Sequence, residues 1–162
     1  MSIGDITILE QPVMAGVGAK KFNVAASATL IYPGEPVALN ALGDVVVIKF
    51  DTNAPVVATD FVVGIAATQS TNDANNAGVV WVNQMTPGTT YLITPTTAAT
   101  WNTQAKYDAI VNKRVLIDYT SPAFTILASD NSTYGCVVMP LDIAKYPGKV
   151  AFQFRAGASY LA

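Results

Sequence analysis

The chain has 162 residues, of which 51% are hydrophobic and only 12% charged, with no histidine, one cysteine and a net charge of −2. Nine basic residues stand against eleven acidic ones, adjacent only at Lys20-Lys21 and Lys113-Arg114; duplex nucleic acid is disfavoured as a partner, because phosphate binding needs clustered Lys and Arg. Without histidine the common Ser-His-Asp triads and most zinc sites are excluded, and a lone cysteine excludes an intramolecular disulfide framework.

Residues 1 to about 25 form a distinct section. Ile6 and Ile8 alternate with Thr7, while Pro12, Gly16 and Gly18 interrupt any long strand. Two readings are open, an extended arm or a first strand with a leader; we take 1–25 as an extended N-terminal arm and 26–162 as a single β-rich domain. Asp5 and Glu10 precede the apolar stretch 13–17 and Lys20-Lys21 follow it, the reverse of the charge order of a signal peptide.

Short β-like runs follow. Residues 28–32 lead to a Pro33-Gly34 turn, then 36–39; 45–50 follows Gly43-Asp44. Residues 61–68 run into the polar stretch 69–78, 79–85 ends at Pro87-Gly88, and 91–94 ends at Pro95. Between 100 and 111 the rhythm changes: Tyr107, Ile110 and Val111 fall at i, i+3 and i+4. Thr100 or Thr103 can cap the start and Asn112 can end the helix in left-handed geometry. Lys113 and Arg114 then lie near the negative end of its dipole. Further runs lie at 115–119, 124–128, 136–141 and 150–154. In the last, Val150, Phe152 and Phe154 face one way and Ala151 and Gln153 the other, a half-buried antiparallel strand after a Pro147-Gly148 turn. Many short strands punctuated by Gly, Pro, Asn and Asp predict an all-β fold, a mainly antiparallel β-barrel or sandwich, with one short α-helix near 100–112 plugging an open end.

Residues capable of chemistry are sparse. Cys136 sits among Gly135, Val137, Val138 and Met139, which predicts a buried, inert thiol. Gly16-Val17-Gly18-Ala19-Lys20 lacks the spacing of a phosphate loop and is read as a flexible segment. Residues 72–78 offer one carboxylate, Asp73, and read as an exposed Asn-rich loop rather than a calcium site. Asn131-Ser132-Thr133 has the pattern of a glycosylation sequon and reads as a hairpin tip. Asp44, Asp51 and Asp60 flank strand ends, where Asp serves turns. Trp81 and Trp101 read as core residues. No catalytic residue, metal or cofactor is expected, and the chain is expected not to be an enzyme. No run approaches the ~20 apolar residues of a membrane span, yet mean hydropathy is +0.36. That combination predicts apolar surface covered by protein, through self-association or docking.

At Gly34-Glu35-Pro36-Val37-Ala38-Leu39, then Phe61-Val62-Val63-Gly64-Ile65-Ala66 and Pro87-Gly88-Thr89-Thr90-Tyr91, the chain resembles the capsid decoration proteins of tailed bacteriophages, also called head-stabilising or cement proteins. The resemblance covers about residues 28–95; the helix and later strands go beyond the smallest members. It implies a β-tulip-like domain and a non-enzymatic virion protein, made in the host cytoplasm and bound to the capsid exterior. It further implies the major capsid protein as partner and a homo-oligomer, most often a trimer. In such proteins the N-terminal arm adds to strands of the capsid protein. Carried to this chain, that points to Ile3, Ile6, Ile8, Leu9, Val13 and Met14 as capsid-binding residues. A glycan-binding or adhesin-like β-module on a virion or cell surface is the alternative, requiring exposed aromatics among Trp81, Trp101, Tyr119 and Tyr134. A small hydrolase would require two carboxylates converging in a cleft.

Overall fold

In a computed structural model, residues 6–10, 18–48, 54–57, 59–120 and 123–158 are described. They form twelve strands, one short α-helix and two single-turn 3-10 helices, the expected all-β fold.

A five-stranded antiparallel sheet uses residues 19–84. Its strands are β2 (Ala19–Val24), β3 (Pro36–Leu39), β4 (Val45–Val47), β5 (Val62–Ala66) and β6 (Gly78–Gln84), in the order β2-β6-β5-β3-β4. The two edges, β2 and β4, approach one another, so the sheet is nearly a closed barrel. Its centre is β5, whose five residues are all buried. A continuous apolar run fits that place, since both faces of a central strand are covered.

The second sheet is built around β7 (Thr90–Pro95). On one side β7 pairs with β12 (Val150–Phe154), which pairs with β11 (Cys136–Val138), which pairs with β8 (Arg114–Val115). The other side of β7 is shared. β1 (Thr7–Glu10) pairs antiparallel with Thr90, Tyr91 and Leu92, and β10 (Ala123–Ile126) pairs parallel with Thr94 and Pro95. β9 (Ile117–Thr120) completes the sheet on β10. Tyr91 stacks on Phe152, and Phe154 meets both rings edge-to-face, at centroid distances of 5.3–5.6 Å. One apolar cluster joins the two sheets, from Val24, Val37 and Val62 to Ile93, Phe124 and Phe152.

Several expectations change. Residues 28–32 form no strand. Instead the Ile31 N–H donates to Ser70 Oγ (3.0 Å), Ser70 Oγ donates to Asn72 Oδ1 (2.7 Å), and Asn72 Nδ2 donates to the Ala28 carbonyl (2.7 Å). Side chains of the 69–78 loop thus take the backbone groups that a ladder would have used. The helix α1 is Gln104–Asp108, shorter than 100–112, with a 3-10 turn at Ala98–Thr100 before it. Thr103 is its N-cap, as expected; Asn112 is left-handed (φ 66°) but does not end the helix, whose C-cap is the right-handed Ala109. Gly18 precedes β2, so Lys20 lies on a strand.

Candidate functional site

Of the residues assigned to capsid binding, Ile3, Val13 and Met14 lie outside the described residues. The other three sit on or beside β1, which is docked on the chain's own β7 with Thr7 opposite Leu92 and Ile8 opposite Tyr91. Ile6 is 3% exposed and belongs to the core, and Leu9 packs partly buried against it. Ile8 alone of these points outward, 40% exposed. Among the described strands β1 pairs only with β7, so its outer edge presents unpaired backbone groups beside Ile8, the kind of edge to which another strand adds.

Two more exposed apolar side chains lie at one end of the five-stranded sheet. Leu42, 87% exposed, tips the β3–β4 turn, and Phe61, 53% exposed, leads into β5. The Leu39 N–H donates to the Phe61 carbonyl (3.4 Å), holding the two segments side by side. Asn40 shapes the turn, its Oδ1 accepting from the N–H groups of Leu42 and Asp44.

Trp81 is on the outer face of the five-stranded sheet and 43% exposed, not in the core. Lys21 is its direct partner on β2. The signal for this lies in the alternation of β6: Val80 and Val82 are fully buried, while Val79, Trp81 and Asn83 point the other way. Trp101 is a core residue, 4% exposed, its indole 6.3 Å from the Tyr107 ring. Tyr119 and Tyr134 are half-buried.

Several ionisable residues are tied into local structure. Cys136 is fully buried, and burial pushes its thiol up, away from the reactive thiolate. The Asp60 carboxylate accepts from the Val56 N–H (2.7 Å). Asp73 is held below the usual carboxylate range by the Asn76 side chain, then by the N–H groups of Asn75 and Asn76. Asp130 is lowered chiefly by the Arg114 guanidinium at 2.9 Å, with Lys113 at 3.9 Å. Asn131 Oδ1 accepts from the Thr133 N–H (3.0 Å), forming a turn. Asp51 lies outside the described residues. Three surface hollows, of 310, 270 and 260 Å³, contain at most one ionisable side chain each, Arg155 in the first and Asp60 in the second.

Among the described residues no helix is long and apolar enough to cross a membrane, and no group of three His, Cys, Asp or Glu could hold a metal ion. No known protein family, characterised protein or solved structure matches the chain.

Proposed function

We propose that the chain is a structural virion protein that binds the outer surface of a phage capsid and stabilises it, a decoration or cement protein. The observation that carries this reading is β1, a short strand that pairs with β7 alone among the described strands and carries an exposed Ile8. The chain's low charge, its exposed Leu42 and Phe61, and its resemblance to decoration proteins over residues 28–95 support the same reading. The major capsid protein is the partner, contributing a strand that extends the sheet from β1. Copies associate as trimers, and many copies on one lattice hold through modest individual contacts. Anything that binds only the assembled shell lowers its free energy relative to separated subunits.

Cosedimentation with expanded capsids prepared without the protein tests this. The purified chain is expected to bind assembled shells and not free capsid subunits. Ile8→Asp should weaken binding ~10-fold or more, the equivalent of ~1.4 kcal/mol of lost apolar contact, with little change in the melting temperature. Ile6→Ala is the contrasting control: its buried side chain should cost ~2–4 kcal/mol of stability. Deleting residues 2–14 removes β1 altogether, so the Ile8 variant is the cleaner probe. Equal occupancy by wild type and Ile8→Asp, or equal binding to shells and free subunits, overturns the reading.

A further inference from the structure

We propose that the outer face of β2 and β6 binds a carboxylate-bearing polysaccharide, with Trp81 as the stacking platform and Lys21 as the partner of the carboxylate. The cross-strand register sets Ala19, Lys21 and Asn23 beside Asn83, Trp81 and Val79. Neighbouring positions on such a face lie ~7 Å apart along a strand and ~5 Å across the ladder, the scale of one sugar unit. Lys21 and Asn23 are exposed and Asn83 is half-buried. Among the described residues, none of these three side chains makes a hydrogen bond or ion pair; Lys20, opposite the buried Val82, belongs to the other face.

The backbone beneath the platform is held in place. The Trp81 backbone N–H donates to Thr68 Oγ1 (3.2 Å), and the Trp81 carbonyl accepts from the Ala67 N–H (2.7 Å). The exposed indole offers an apolar face to the C–H side of a sugar ring. Around it, two carboxamides can each donate to and accept from hydroxyl groups. The ammonium group of Lys21, directly opposite Trp81, selects a sugar that carries a carboxylate.

A protein partner fits this face less well. A tryptophan hot spot is ringed by neighbours that exclude water, and lysine is depleted from interface cores. Here the neighbours on β2 and β6 are a lysine, two asparagines, an alanine and a half-buried valine. The face lies on the opposite sheet from Ile8, so the two readings fail separately.

The test uses the intact chain, whose two tryptophans separate cleanly because Trp101 is buried. Polygalacturonate and alginate are titrated against dextran, with tryptophan emission and affinity electrophoresis as readouts. Both acidic polymers should shift the emission and retard the protein, and dextran should bind at least ~10-fold more weakly. Trp81→Ala should abolish retardation with an unchanged melting temperature. Lys21→Gln should erase most of the preference for acidic over neutral polymer, and raised salt should weaken the acidic polymers alone. Unchanged emission with both acidic polymers overturns the proposal. So does equal retardation of wild type and Trp81→Ala, or a Trp81→Ala variant that loses capsid binding while keeping polymer binding.

Discussion

At Gly64 the backbone leaves no space for a side chain. It sits in the middle of β5 at φ 159°, and an added Cβ would meet the carbonyl of Asn83 and stand 3.0 Å from Gln84 Cα. The β3–β5 register slips by one residue here, with Val37 opposite Gly64 and Ala38 opposite Val62. Gly64→Ala should therefore cost on the order of 1–3 kcal/mol in urea unfolding, because backbone rather than a flexible side chain must yield. That Val62-Val63-Gly64-Ile65-Ala66 is a strand was legible from its apolar run. The close approach of β6 was not, since it depends on a partner about twenty positions away. Trp81 looks like core when its β-run is read as a block; the asparagine at 83 on the same face marks that side as outward. Glu35 is the opposite case. It is fully buried, its Oε2 accepting from the Tyr32 N–H (2.9 Å), and nothing in an acid placed between Gly34 and Pro36 announces burial.

Among the elements, α1 shows how tertiary pairing overrides a helical period. Its N-cap was readable from Thr103, but its end was not: α1 stops at Asp108 with the right-handed Ala109 as C-cap, four residues before the left-handed Asn112. Its length was not readable either, because the Asn112 N–H donates to the Val138 carbonyl (2.9 Å) and the Lys113 carbonyl accepts from the Val138 N–H (3.0 Å). These bonds draw the end of the helical segment onto β11. The helix is fastened to the second sheet by one hydroxyl: Tyr107 Oη donates to the Met139 carbonyl (2.8 Å) and accepts from the Ala151 N–H (2.9 Å). Tyr107→Phe keeps the ring but leaves both backbone groups unpaired, so it should lower stability by ~1–3 kcal/mol. Burial pushes the Tyr107 hydroxyl from its ordinary 10.0 up to about 12, partly offset by the Ala151 bond. A pKa raised by folding favours the native state fully below the unfolded value. Stability should thus be flat with respect to this group up to about pH 10, then fall by up to ~1.4 kcal/mol per pH unit towards pH 12. Tyr91, also pushed up by burial, adds loss of the same sign. Chemical denaturation across pH 8–12 should show a shallower alkaline decline in the Phe variant.

For the whole molecule, several turn positions were legible, because they announce themselves through local residues such as Gly34, Gly88 and Gly148, all at positive φ, whereas β2 lay inside the section read as an arm. Which strands meet was not legible, and the first section shows why. Residues 7–10 look like a free arm in a linear reading, yet they are a strand of the second sheet because β7 has an edge to be covered. The partners of β7 come from residues 7–10, 123–126 and 150–154, whereas the five-stranded sheet closes within residues 19–84. Long-range pairing is slow, since loop-closure entropy is lost before contacts form. Pulse-labelled hydrogen exchange during refolding should protect the amides of β5 and β6 before those of β7 and β12. On the ribosome the same asymmetry becomes a waiting time. Residue 84 leaves the tunnel roughly 70 residues ahead of residue 154, a gap of ~4–14 s at ~5–20 residues per second. For that interval Tyr91 and Ile93 have no β12 to cover them, and the nascent chain is a natural client for chaperones until β12 emerges.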